Sequence, residues 1–379
     1  MIPALCVDVT IPDAAPGPAS AGGEKIAPKR RRGRTANANA SGRFEPVARV
    51  DLDDGWGSLD ELPAFVTEVA HEKPKKIITR NESPDLAFDR SINPYRGCEH
   101  GCVYCFARPT HAFLGLSPGL DFESRLFVKD NAAEILRREF SAPGYQPKTI
   151  AIGTNTDPYQ PIEREHRVMR SILEMLAQAN HPVAIVTKSA LVLRDLDILG
   201  PMAARGLAKV ALSVTTLDRD LARAMEPRAS TPQRRLDAIE KLSLAGIPAA
   251  VMVAPVIPGV NDHEIETILT RAHALGASEA FYILLRLPLE TQDIFAGWLL
   301  EHHPGKYRKV MALLRSTREG KIYDAAWGKR MTGTGPYAWM IGRRFELACE
   351  KIGFNKHKTR LRTDLFARPA GGGVQLSLF

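Results

Sequence analysis

The stretch "NPYRGCEHGCVYCFARPTHAF", residues 93–113, sets Cys98, Cys102 and Cys105 within eight residues, in a chain that has five cysteines in all. Thiolates are soft ligands, and three of them at the spacing Cys-x3-Cys-x2-Cys, in a loop with Gly and Pro, suit either zinc or an iron–sulfur cluster. Structural zinc needs a fourth protein ligand, which His100 or His111 would supply as a Cys3His set. A cubane held by only three cysteines instead leaves one iron open for a substrate. A separately folded zinc module usually carries paired ligands on two arms, whereas this triplet lies just upstream of an α/β pattern.

That pattern must position the triplet. Apolar runs at 149–153 ("TIAIG"), 183–188 ("VAIVTK"), 209–215 ("KVALSVT"), 249–255 ("AAVMVAP") and 280–286 ("AFYILLR") read as strands. Their near-continuous hydrophobicity predicts parallel strands covered on both faces. The stretches between them are helical. One starts at Thr231 as N-cap, with Pro232 first in the helix and Gly246 at the stop; the next starts at Asn261, with Glu264 three residues on, and ends at Gly276. Repeated strand and helix units predict an α/β fold with a parallel sheet, open or partly closed into a barrel. Sites in such folds sit at the carboxyl ends of the strands.

The chain has 379 residues, 44% of them hydrophobic, enough for one large core or two modest ones. No run approaches the roughly 18 apolar residues of a membrane span, and the first residues lack the basic and apolar regions of a signal peptide. A cytoplasmic protein without a membrane partner is expected, where clustered cysteines bind metal more often than they form disulfides. Residues 1–50, with "KRRRGR" from Lys29 to Arg34, show no apolar periodicity and are predicted to be a disordered basic tail. A lead-in segment over 51–79, the α/β unit over 80–300, a basic helical extension over 301–366 and a flexible tail over 367–379 complete the expected organisation.

The net charge of +8 is local: from Lys306 to Arg368 there are 16 Lys and Arg against five Asp and Glu. Such a patch suits a polyanion or is simply a solvated face. Arg343, Arg344, Lys356, Lys358, Arg360 and Arg362 are candidate phosphate contacts. Trp327, Tyr337 and Trp339 are candidate base-stacking rings, although aromatics at helical apolar positions are more often core. "TGTGP" (332–336) has no strand before it and reads as a turn rather than a phosphate loop. Cys349, in an apolar helical context, reads as a buried structural thiol.

With Tyr104 directly before its last cysteine, the triplet resembles the signature of radical S-adenosylmethionine (SAM) enzymes, and the α/β units match their partial (β/α)6 barrel. Together with "TNTDPYQPIE", "TKS", "LSVTT" and "PVIPGVND", it resembles the spore photoproduct lyase-like branch, often described as DNA repair photolyase-like, over residues 80–288. The resemblance implies a [4Fe–4S] cluster on Cys98, Cys102 and Cys105, whose open iron chelates the amino and carboxylate groups of SAM. An electron donor then allows cleavage to methionine and a 5′-deoxyadenosyl radical, which abstracts hydrogen from the substrate. It further implies that Lys188 pairs with the methionine carboxylate and that Ser213 contacts the ribose. Thr154, Asn155 and Asp157 would meet the methionine amino group and the substrate, and Val256 would seat the adenine.

One departure stands out. Spore photoproduct lyase uses a cysteine after the second strand as hydrogen donor, and Asn155 aligns there; an amide is a poor donor of hydrogen atoms. Another radical reaction on DNA is expected. The competing readings are a radical enzyme that modifies RNA and a zinc-stabilised, clamp-associated binding protein.

The last five residues, Gln375, Leu376, Ser377, Leu378 and Phe379, resemble the pentapeptide by which bacterial polymerases and repair proteins dock on the replication sliding clamp. Leu376, Leu378 and Phe379 supply apolar anchors, Gln375 supplies hydrogen bonds, and "PAGGG" supplies reach. The competing reading is a terminus folded back onto its own barrel.

Overall fold

Runs of Val, Ile and Ala give the chain strands that are buried on both faces and therefore need helices to cover them. The computed structural model describes residues 34–36, 39–45 and 66–369, and among them are ten strands. These are β1 (Glu68–His71), β2 (Thr79–Arg80), β3 (Arg90–Ile92), β4 (Tyr95–Arg96) and β5 (Arg125–Val128), followed by β6 (Ile150–Ile152), β7 (Val183–Thr187), β8 (Ala208–Ser213), β9 (Ala249–Val256) and β10 (Glu279–Leu284). The main sheet has the order β10-β9-β8-β7-β6-β3-β2. All its neighbours from β10 to β3 are parallel, and β2 runs antiparallel on the edge.

Six parallel strands in chain order, each followed by a helix, make the expected partial (β/α)6 barrel. β3 is the strand that sequence patterning missed. At three residues it is too short to show a period, and pairing of Ser91 and Ile92 with Ala151 and Ile152 defines it. A second sheet, β1-β5-β4, lies beside it.

The helix Pro232–Leu244 starts as expected, with the Thr231 side chain accepting from Arg234 N and Pro232 in the first turn. Asn261 and Glu264 act differently. Asn261 Oδ1 accepts from Ile257 N (2.6 Å) while its Nδ2 donates to Thr215 O (2.7 Å) and Pro255 O (3.0 Å). Glu264 accepts from Thr216 Oγ1 and Leu217 N, both at 2.6 Å. Orphan polar groups at the ends of β8 and β9 thus claim both side chains, which knit strand ends together instead of capping the helix Ile265–Ala274. "TGTGP" is a turn that runs straight into the long helix Gly335–Ile352, with Thr334 at its N-cap position. Cys349 lies buried in that helix.

The basic extension is not a separate unit. Phe295, Trp298 and Leu299 of the helix Thr291–His302 join Val310 and Leu314 of the helix Tyr307–Ser316 in a second core, which backs Cys102, Val103 and Tyr104. The adjacent His302 and His303 flank the Trp298 ring, each with centroids 5.5 Å from it. Among the described residues no helix is long and apolar enough to cross a membrane.

Two sequence expectations change here. The predicted disorder to residue 50 does not hold for residues 34–36 and 39–45: Thr35 and Ala36 are buried, and Phe44 packs on Phe113 with ring centroids 5.2 Å apart. The candidate phosphate contacts are also displaced. Arg344 is bonded to Glu266 through two nitrogens, Arg343 pairs with Glu346 and Arg362 with Asp364. The run from 355 to 362 is tied by Asn355 N to Ser278 O (3.1 Å), Thr359 N to Glu279 Oε1 (2.8 Å) and Arg362 N to Gly206 O (2.8 Å). Those partners stand at the amino ends of β8 and β10. Lys356, Lys358 and Arg360 therefore belong to the end of the barrel opposite the carboxyl ends of its strands.

Candidate functional site

The chain leaves β3 into the cysteine loop, and the loop's polar backbone is fastened by side chains. Arg108, fully buried, donates from Nε to Cys102 O (3.0 Å) and from Nη2 to Gly101 O (3.2 Å). Its Nη1 donates to Pro118 O and Gly119 O, both at 3.1 Å. Its charge is met by Glu123, equally buried, at 2.5 Å. The same carboxylate accepts from the backbone N–H groups of Arg34 (2.6 Å), Thr35 (3.3 Å) and Ala36 (3.1 Å). The N-terminal strap is thereby fixed across the loop. Arg34 also reaches Glu99 at 3.0 Å, a buried carboxylate shared with Arg228 and Thr67. Gly101 needs its left-handed φ of 65°, and a Cβ there would lie 2.7 Å from Arg34 Cβ.

Cys98, Cys102 and Cys105 all line one cavity of about 250 Å3 at the carboxyl ends of the strands. Its wall includes Thr154, Asn155 and Asp157 after β6, Lys188 after β7, Ser213 closing β8, Ala254 and Pro255 on β9, and Arg286 after β10. Eight of the nine sequence-derived cofactor and metal residues are thus brought together. Val256 is not: it is 1% exposed in the main core. Along β9, Met252 and Ala254 face the cavity while Val251 and Val253 face the core; the register shift opposite Tyr282 and Leu284 then turns Val256 inward. Ala254 and Pro255 provide the apolar wall at that place.

Each wall residue has a local reason for its position. Asp157 accepts from Thr187 Oγ1 (2.6 Å), Lys188 N (2.7 Å) and Tyr159 N (2.9 Å), so it locks the end of β7 to the loop after β6. Asn93 Oδ1 accepts from Asn155 N at 2.9 Å and holds that loop from the other side. Gly153 permits the close approach, since a Cβ there would fall 2.0 Å from Val186 O. Ser213 Oγ donates to Ala254 O at 2.8 Å.

Lys188 has no carboxylate within ion-pair distance among the described residues. Burial alone would lower its pKa, but Cys102 and Glu226 outweigh that and hold it above the ordinary lysine value. Glu226 is itself buried against Arg235 at 2.8 Å. Burial would raise the Glu226 carboxyl, and Arg235 with Lys188 outweighs it and keeps the group below its usual range. Lys188 is thus a retained ammonium at a cavity wall, ready for an anionic ligand.

Three thiols on one cavity wall are the donor set of a cluster held at three corners, while among the described residues no three His, Cys, Asp or Glu side chains converge on a single-ion site. Among the described residues no fourth cysteine reaches the cavity, and Cys349 lies in the core. His111 is no ligand: its Nε2 bonds to Arg125 O at 2.9 Å and its ring packs edge-on to Phe122. His100 lies against Asp157 at 3.4 Å. Burial pushes the Cys98 thiol up to about 12 and raises that of Cys102 well above its usual value. Metal must therefore drive deprotonation as it binds.

Residues without a sequence signal complete the cavity: Leu86, Phe88 and Met331 come from irregular loops clipped together by Asp85, which accepts from Gly328 N (2.7 Å) and Arg330 Nε (2.6 Å). Arg286 had a signal, a charge at the end of an apolar strand, that went unread.

A family model described as the Radical SAM superfamily matches residues 92–272. An uncharacterized protein of Mycobacterium tuberculosis is 40% identical over 230 residues, 59% of this chain and 68% of the relative. A protein of Pseudomonas phage M6 named radical SAM Nalpha-GlyT isomerase is 28% identical over 308 residues, 72% of this chain and 61% of the relative. The solved spore photoproduct lyase complexed with dinucleoside spore photoproduct shares the fold, with a TM-score of 0.54 and 17% identity over 75% of this chain and 78% of that one. By its sequence the chain belongs to the radical SAM superfamily, whose enzymes work with a [4Fe–4S] cluster and SAM.

Proposed function

We propose that this radical SAM enzyme acts on DNA. When bound, the cluster and SAM supply a radical able to abstract a hydrogen atom from an unactivated carbon. In this reading Cys98, Cys102 and Cys105 hold the cluster. Lys188 takes the SAM carboxylate, Thr154 and Asn155 face the amino group and substrate, and Ala254 with Pro255 seats the adenine. Ser213 and Asp157 fix the strand ends between them. Reversal of a thymine dimer through a protein thiol is not proposed, because Asn155 stands where the donor cysteine would be.

The observation that carries the DNA reading is an exposed aromatic residue on a segment that reaches the cavity. The turn that gives Met331 to the wall leaves Trp327 62% exposed. An exposed tryptophan offers a stacking face for a base that leaves its strand. The relation to a fold that holds a dinucleoside photoproduct supports the same class of substrate. With anaerobically reconstituted protein, single-stranded DNA is expected to bind more tightly than RNA of the same sequence at stated salt. Trp327→Ala is expected to weaken that binding about tenfold. Tighter binding to RNA, or no binding to either, overturns the reading.

The pentapeptide Gln375 to Phe379 lies outside the described residues. We infer that it docks on the replication sliding clamp, on the strength of its five-residue match and its glycine tether. Immobilised clamp is expected to retain the full chain and to release a chain ending at Val374. Equal retention of the two sinks the inference.

A further inference from the structure

Tyr104 and Phe106 flank Cys105, and each carries a cation. Lys188 Nζ stands 5.8 Å from the Tyr104 ring centroid, and the guanidinium carbon of Arg286 stands 4.1 Å from that of Phe106. All four line the cavity. Lys188 has the buried Glu226 behind it. Arg286 has no such support: among the described residues it makes no hydrogen bond, and no carboxylate lies within ion-pair distance. Its titratable neighbours are the cations Arg330 and Arg318 together with Tyr323, Cys105 and, beyond ion-pair distance, Asp85, and burial lowers its pKa. The nearby bonds go elsewhere: Arg318 donates to Lys329 O (2.7 Å) and Leu285 O (3.0 Å), and Asp85 is bonded by Arg330 at 2.6 Å and not by Arg286.

A half-buried guanidinium without an acceptor from its own chain is strongly attractive to an oxyanion. SAM offers one carboxylate, for which Lys188 suffices, and its ammonium and sulfonium leave it net positive. A second cation in the same cavity is left for another anion, either the cluster with its three thiolates or a group on the substrate. Stacking on Phe106 holds the planar fork in place, so two donors are presented together, the geometry that suits two oxygens on one phosphorus.

We propose that Arg286, seated on Phe106 after β10, is the anion anchor for the substrate and takes a phosphodiester of the DNA strand beside the nucleotide that enters the cavity. This rests on the DNA reading above. The anchor fixes the reacting nucleotide relative to Cys105 and SAM.

The test uses the full chain with its cluster reconstituted, as wild type, Arg286→Gln and Arg286→Lys, with iron content as the check on folding. A labelled oligothymidylate is bound, then displaced by thymidylyl-thymidine or by its neutral methylphosphonate analogue. Wild type is expected to prefer the charged dinucleotide about tenfold. Arg286→Gln is expected to lose that preference and to show a salt slope smaller by about 0.7, one phosphate contact on a single strand. Arg286→Lys is expected to recover part of both. Wild type that binds the oligothymidylate while Arg286→Gln keeps its preference overturns the anchor and leaves the DNA reading standing. Wild type that binds no oligothymidylate overturns both. A shifted cluster midpoint potential with the dinucleotide preference intact assigns Arg286 to the cluster and also overturns the proposal.

Discussion

Replacing any one of Cys98, Cys102 or Cys105 by alanine is expected to reduce SAM cleavage by at least about 10³-fold, on the order of 4 kcal/mol in barrier. On the proposed assignment the three thiols hold the cluster, and the other described cysteine, Cys349, does not line the cavity to replace one of them. Two thiolates leave the cubane short of a corner, so the expected change is loss of iron and sulfide, not a weakened but intact centre. The measurement is iron and sulfide content after anaerobic reconstitution, with methionine and 5′-deoxyadenosine quantified after reduction. Cys349→Ala serves as the control, because that thiol is buried in the core on the helix Gly335–Ile352. It should retain the cluster and lose only packing. A triplet variant with full iron and undiminished cleavage would refute the assignment.

The second large effect is on stability. Glu123→Ala removes the acceptor for Arg108 and for three consecutive backbone N–H groups, at a pair whose two side chains are fully buried. Breaking a buried pair from one side costs about 3–5 kcal/mol, because the remaining charge stays buried and unpaired. For a chain of this size, thermal unfolding is expected roughly 10 °C lower. Combining Glu123→Leu with Arg108→Met removes both charges and should recover part of the loss. A single Glu123→Ala variant that unfolds within about 2 °C of wild type would show that water reaches the pair.

Much of this architecture was legible in the sequence for physical reasons. Cysteine spacing is local, so the triplet announced itself. Strands buried on both faces are nearly all apolar, so five of the six barrel strands were found; β3 escaped because three residues carry no period. The strap failed differently. Residues 34–36 are composed like a free tail, and the acceptor that orders them, Glu123, lies more than 80 positions away. Composition has no access to such a partner. Asn261 and Glu264 formed a good local cap signal and were taken by strand ends that local reasoning does not see.

Charge counting found the basic extension but not its orientation, and the run from 355 to 362 packs at the amino ends of the strands. Trp327 and Trp339 are 62% and 72% exposed, against the usual fate of aromatics in helical patterns, while Tyr337 is held by a 2.6 Å bond to Asp262. Val256 was one residue beyond the point where β9 changes register.

Arg108 gives its donors to the carbonyls of Gly101, Cys102, Pro118 and Gly119, and its charge to Glu123. Those carbonyls belong to the loop that carries the triplet, so a good part of the loop's shape is fastened by protein groups. Protein whose centre has been lost to oxygen is therefore expected to take up inorganic iron and sulfide again without first being unfolded.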